Sequence, residues 1–152
     1  MTAGDLITTD LVDLELEAPD RTAGTRSLAE RLVAAGRVTD LDGFLKDVAA
    51  REEQMPTGLE GGIGIPHCRS EHVTEPTLGF GRSKAGIDFG APDGPAHLIF
   101  LIAAPAGGGS EHMTILAKLA RRLVHQSFKD ALSDASDPQA VVSLINTEVL
   151  GK

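Results

Sequence analysis

His67 closes the stretch Gly61-Gly62-Ile63-Gly64-Ile65-Pro66-His67, in which glycines and one proline lead up to a single imidazole. Glycines let a second backbone or a bulky anion approach closely, while Pro66 fixes its own φ and keeps Ile65 extended. The ring is therefore expected to sit still on a stiff, nearly bare platform. With a reference pKa of about 6.5 it is mostly uncharged at neutral pH, available as a nucleophile or a base. The plainer alternative is a turn histidine that merely ends a strand.

Two more residues extend that chemistry. Arg51 closes a predicted helix ahead of the glycine stretch, and His112 opens another just after Ala104-Pro105-Ala106-Gly107-Gly108-Gly109-Ser110. Counted from His112, the apolar residues Ile115, Leu116, Leu119, Ala120 and Leu123 recur at helical spacing, so His112 is expected to face the sheet at the top of that stripe. Free N–H groups and the positive dipole end of a first helical turn favour a negative ligand, with Ser110 placed to cap. A His, Arg, His set suits the handling of phosphoryl groups. Taken singly, Arg51 equally well complements a helix C-terminus, and His112 reads more simply as a histidine that closes a core edge.

Positioning such a set requires a mixed α/β framework. Val12, Leu14 and Leu16 alternate with acidic residues as an edge or half-exposed strand would. Leu28, Ala29, Leu32 and Val33 follow at helical spacing with Gly36 as the stop. Thr39 to Asp42 offers a capping box for a second helix whose stripe is Leu41, Phe44, Leu45, Val48 and Ala49, with Arg51 at its border. Ile63 to Pro66 and the alternation Leu78, Phe80, Arg82 read as strands, and the unbroken run Leu98 to Ala103 reads as a central strand covered on both faces. Helices are predicted over 111–124, over 127–135 with a Ser127/Asp130 box, and over 138–148 with Asp137 as cap and Pro138 at the first position. The expectation is a mixed β-sheet flanked by helices on both faces, one compact domain over 1–152 with its core at about 5–148.

Composition bounds the partners. Fourteen basic against twenty-two acidic residues give a net charge of −8, which disfavours nucleic acid and anionic membrane and favours a basic protein partner. A chain of 152 residues that is 41% hydrophobic can build one substantial core. The single cysteine, Cys68, cannot form an internal disulfide, and residues 1–5 lack the start of a secretory signal, so the cytoplasm is the expected compartment. The longest apolar run, Leu98 to Ala106, is far short of the roughly 20 residues a membrane span needs.

Other chemistries fit less well. Neighbouring residues of an extended segment point apart, so His67 cannot activate Cys68, which reads as a packing residue. A zinc site from His67, His72 and His112 lacks the usual close ligand spacing, and neither a metal nor a cofactor is expected. His72, His97 and His125 read as surface or strand-edge residues. Gly107 to Ser110 lacks the lysine of a phosphate-binding P-loop.

Arg51-Glu52-Glu53, Pro56-Thr57-Gly58-Leu59, Gly62 to His67 and Gly109-Ser110-Glu111-His112 together resemble the fructose/mannitol-type enzyme IIA domain of the bacterial sugar phosphotransferase system, from about Asp5 to about Glu148. The resemblance implies that His67 accepts a phosphoryl group from phospho-HPr and passes it to an enzyme IIB domain, which in turn can be fused with a membrane IIC. It implies Nε2 as the attacking atom with Nδ1–H held by an unidentified acceptor, Arg51 as a clamp on the phosphoryl oxygens, and His112 as a donor that stabilises the phosphorylated state. Pro105 to His112 and Gly79-Phe80-Gly81-Arg82 resemble the fructose branch. The alternatives are a nitrogen-type regulatory domain that controls protein partners, and a protein-binding domain with no transferable phosphate. Cys68 and Gly64 depart from the commoner glycine and alanine. A shallow docking centre at Gly64, Ile65 and the 107–109 loop, ringed by acidic residues, is also expected.

Overall fold

The computed structural model describes residues 6–54, 57–59, 61–107 and 111–149, and for Leu59, Glu111 and His112 the backbone alone. A 3-10 turn at Thr9–Leu11 leads into strand β1 (Val12–Asp13), followed by helices α1 (Arg21–Ala34) and α2 (Leu41–Gln54). Three short strands come next, β2 (Gly58–Leu59), β3 (Ile63–Gly64) and β4 (His67–Ser70). Two long ones follow, β5 (Thr77–Ile87) and β6 (Ala96–Pro105), and then α3 (Glu111–Leu123), α4 (Gln126–Asp134) and α5 (Pro138–Glu148).

The sheet runs β1-β5-β6-β3-β2, with β4 also pairing β6. β5 and β6 are antiparallel with Phe80 opposite Phe100, their rings 5.1 Å apart at the centroids, whereas β3 and β4 both run parallel to β6. The mixed sheet is thus as expected, and so is the central place of Leu98 to Ala103.

Alternation along β6 divides the core in two. Leu98, Phe100 and Ile102 meet Leu119, Leu123, Phe128, Leu132, Val141 and Ile145 from α3, α4 and α5. Ile99, Leu101 and Ala103 meet Leu28, Leu32, Phe44 and Val48 from α1 and α2. Because side chains of one strand emerge on both faces, the strand must be apolar at every position, which is why its sequence shows no period.

Several local readings need correction. β1 stops after two residues because the Asp13 carboxylate accepts from the Glu15 N–H at 3.0 Å and turns the chain, after which Leu16 N–H returns to the Arg82 carbonyl at 2.9 Å. Asp40, not Thr39, caps α2: its side chain accepts from Gly43 N–H at 3.3 Å, while the Thr39 hydroxyl donates to the His72 carbonyl. α4 begins at Gln126 after His125, without a side-chain cap, so Ser127 lies inside the helix, and Asp130 accepts instead from the Gln126 side-chain amide at 2.9 Å. α5 is capped by Asp137, which accepts from Ala140 N–H at 2.8 Å, with Pro138 first in the helix as expected.

Candidate active site

His67 stands where one extended path breaks in two. β3 pairs Ile63 and Gly64 with Leu98 and Ile99, and β4 resumes on the same side of β6 with His67 opposite Ile102. The intervening Pro66 cannot donate, yet its carbonyl accepts from Ile102 N–H at 3.0 Å, so the ladder on β6 continues across the break. The His67 ring is half-buried and its Nδ1 lies 2.8 Å from the Ile65 carbonyl two residues back. A carbonyl only accepts, so this contact requires the neutral ring to carry its proton on Nδ1, leaving the Nε2 lone pair free. That is the acceptor the sequence could not name.

The glycines ahead of His67 do different work from that expected. Gly61 (φ +92°) and Gly62 (φ +80°) form the β2–β3 turn, which side-chain-bearing residues would strain. Gly64 offers no open platform: a Cβ there would lie 2.8 Å from two ring carbons of the buried Phe89. The bareness admits Phe89, not a ligand. Ile65 is likewise buried, so a docking centre at Gly64 and Ile65 is not available, and Gly108 and Gly109 lie outside the described residues.

Arg51 lies in the last turn of α2, on a helix face that runs along β4 in the opposite direction. A Cβ at Gly43 would collide with the His72 ring, and one turn on, Asp47 accepts from the Ser70 hydroxyl at 2.6 Å. Four helical residues advance about 6 Å, close to the advance of two strand residues. The next turn on that face is Arg51, which this march brings level with Cys68, the chain neighbour of His67. Half-buried, it has no hydrogen bond or ion pair among the described residues. His112 is the second residue of α3, which packs on β6 from the opposite face; its side chain lies outside the described residues, as does Ser110.

Cys68 packs with Ala103 and Val48 on the α1–α2 face, away from the side on which alternation places His67. Its thiol is pushed up from 9.0 to about 12, first by burial and then by the nearby Asp47 carboxylate. Such a thiol is no nucleophile at neutral pH. Among the described residues no His, Cys, Asp and Glu cluster could hold a metal ion, and no helix is long and apolar enough to cross a membrane.

The family described as the phosphoenolpyruvate-dependent sugar phosphotransferase system, EIIA 2, matches residues 5–148. The chain belongs to this family. The EIIA chain is 39% identical over 137 residues to a protein named the fructose-specific EIIA component of Haloferax volcanii, spanning 90% of the chain and 89% of that protein. It is 33% identical over 143 residues to the fructose-specific EIIABC component of Bacillus subtilis, where it spans 93% of itself but 22% of that longer protein. Among solved structures, the nitrogen regulatory protein IIA-Ntr of Neisseria meningitidis superposes with a TM-score of 0.84 at 27% identity, over 92% of the EIIA chain and 96% of the other.

Sequence reasoning missed two residues close to the site. Thr57 is buried, and its carbonyl accepts from Ile65 N–H at 3.1 Å. Glu52 binds Thr57 in turn. Both stand inside the segments that carry the family resemblance, but only the folded chain shows what they hold.

Proposed function

We propose that this EIIA chain is a phosphoryl carrier that accepts a phosphoryl group from phospho-HPr on Nε2 of His67 and passes it to an enzyme IIB in the uptake of fructose or a related sugar. The observation that carries this reading is the 2.8 Å contact between His67 Nδ1 and the Ile65 carbonyl, which leaves Nε2 as the free lone pair. That lone pair forms the new N–P bond as the N–P bond of the donor phosphohistidine breaks, and the donor nitrogen keeps the bonding electrons. No proton need leave His67 first. Charge spreads over three phosphoryl oxygens in such a transfer, so fixed positive groups and in-line placement supply most of the acceleration. Arg51 is the clamp in this scheme, its planar fork matched to two oxygens, and His112 donates to a phosphoryl oxygen from the first turn of α3.

The fructose assignment rests on the names of the Haloferax and Bacillus relatives, and the enzyme IIB partner on the joining of A, B and C components in the latter. A carrier meeting these partners works in the cytoplasm, as one domain over 1–152. Incubation with enzyme I, HPr and phosphoenolpyruvate followed by intact mass is the test. One acid-labile phosphoryl group is expected on the parent and none on His67→Ala; stoichiometric labelling of that variant would refute the assignment.

The likeness to a nitrogen regulatory IIA favours a second reading, in which the phosphorylated histidine controls protein partners instead of feeding a sugar. Mixing the labelled domain with a purified fructose-type enzyme IIB separates the two. Rapid loss of label supports transport, and a stable label supports regulation.

A further inference from the structure

We infer that Glu52 and Thr57 are positioning residues that set the tautomer of His67, an inference that rests on the reading of His67 as the nucleophile. The path is unbroken. Arg21 Nη1 donates to Glu52 Oε2 at 3.1 Å, and the same oxygen accepts from Thr57 N–H at 2.8 Å. Glu52 Oε1 accepts from the Thr57 hydroxyl at 2.6 Å. The Thr57 carbonyl then takes Ile65 N–H at 3.1 Å, and the Ile65 carbonyl takes His67 Nδ1–H at 2.8 Å.

Each link limits the next. Glu52 is largely withdrawn from water, its side chain 12% exposed, so both oxygens need partners, and Thr57 supplies two donors from one residue. That bidentate grip fixes the backbone of Thr57 immediately before β2. Ile65 is thereby held through its N–H on one side, and Pro66 on the other restricts it to an extended shape. Its carbonyl is left with one direction in which to point. A free imidazole favours its proton on Nε2, the form in which the reactive lone pair is absent; here the fixed carbonyl reverses the preference.

This arrangement also explains why a carboxylate follows Arg51 on the end of α2. Arg51 is on the face that runs along β4, while Glu52, one residue on and about 100° round the helix, reaches Thr57. A single helix end would thus hold both the phosphoryl clamp and the rein on the ring.

The test reads the ring itself. Nitrogen-15 spectra of the imidazoles, recorded at about pH 8.5 where the reference ring is neutral, report which nitrogen of His67 carries the proton. In the parent the Nδ1–H form should predominate; a predominant Nε2–H form there would overturn the inference without any variant. In Glu52→Gln and Thr57→Val the ratio of Nε2–H to Nδ1–H form should rise by about tenfold, the effect of weakening one hydrogen bond of ordinary strength, and phosphoryl uptake should fall by the fraction of the Nδ1–H form that is lost. Thr57→Ser, which keeps the hydroxyl, should restore both. Arg51→Lys should slow uptake and leave the tautomer alone. If Thr57→Val stays folded with the parent's tautomer, Glu52 and Thr57 are structural only. Labelling of His67→Ala would sink the carrier assignment yet leave the tautomer result standing, so the two failures are distinguishable.

Discussion

Cys68 next to the candidate nucleophile allows a quantitative test of whether thiol chemistry has any place in this site. Its folded pKa of about 12 stands above the 9.0 of the unfolded thiol, burial being the larger cause and Asp47 the smaller. Between those values the unfolded chain has released the proton and the folded chain has kept it. A raised value of this kind leaves stability unaffected below about pH 9 and removes it as pH rises towards 12, at about 1.4 kcal/mol per pH unit. By about pH 10 the parent should therefore have lost roughly 1.4 kcal/mol relative to its own value at neutrality from this group alone. Urea unfolding of the parent and of Cys68→Ala across that range isolates the term, since lysines and arginines are shared by both. The gap between the two proteins should shrink by that amount. Chemical modification gives an independent readout: the thiolate fraction at neutral pH is about one in a hundred thousand, roughly a thousandfold below an unperturbed thiol, so iodoacetamide should spare the folded protein and its phosphoryl uptake. Parallel stability profiles for the two proteins, or rapid alkylation at neutral pH, would refute the burial argument.

Two further outcomes follow from the geometry. Arg51→Lys replaces a fork with a point charge and forfeits a charged hydrogen bond worth about 1.5–3 kcal/mol, so single-turnover phosphoryl uptake should slow by tenfold to a hundredfold with unfolding unchanged; an unaltered rate would make Arg51 a helix-end charge. Gly64→Ala drives a methyl to 2.8 Å from the buried Phe89 ring and should cost about 1–3 kcal/mol in urea unfolding, with part of the loss recovered in combination with Phe89→Leu. An alanine variant as stable as the parent would mean that Phe89 has room to move.

What the sequence discloses about this fold depends on whether the deciding contact is local. β6 was legible because a strand buried on both faces must be apolar throughout, and α5 because Asp137-Pro138 writes its start in two residues. The beginning of α1 was not: Arg21 to Ser27 carries no large apolar residue, since that turn packs through Gly24, whose missing Cβ leaves room for Ile87 at 3.0 Å. Asp20 as its cap was the available signal, accepting from Ala23 N–H at 2.8 Å. In the site, His67 could be singled out by the glycine-proline lead-in, and Arg51 by its border position on α2. The carbonyl that holds the ring could not, because backbone atoms are the same at every residue and only the β3–β4 break aims this one. Thr57 and Glu52 were hidden for a related reason, their partners being set by how α2 meets β2.

The choice of a main-chain carbonyl as the acceptor for His67 has a consequence for the energy of whatever is attached to the ring. A carboxylate in that place would raise the basicity of Nε2 and bind its substituent more firmly, as it does behind metal-bound imidazoles. An uncharged oxygen orients the ring while adding little electron density to it. A phosphoryl group on Nε2 would then remain easy to remove, and the next imidazole or thiolate in line would meet a good leaving group instead of a sink. The ring would also be left in the same tautomer after departure as before arrival, ready for another turn without a proton to relocate. In that scheme the strand break at Pro66 would serve throughput, keeping a phosphoryl intermediate at high potential between two partners.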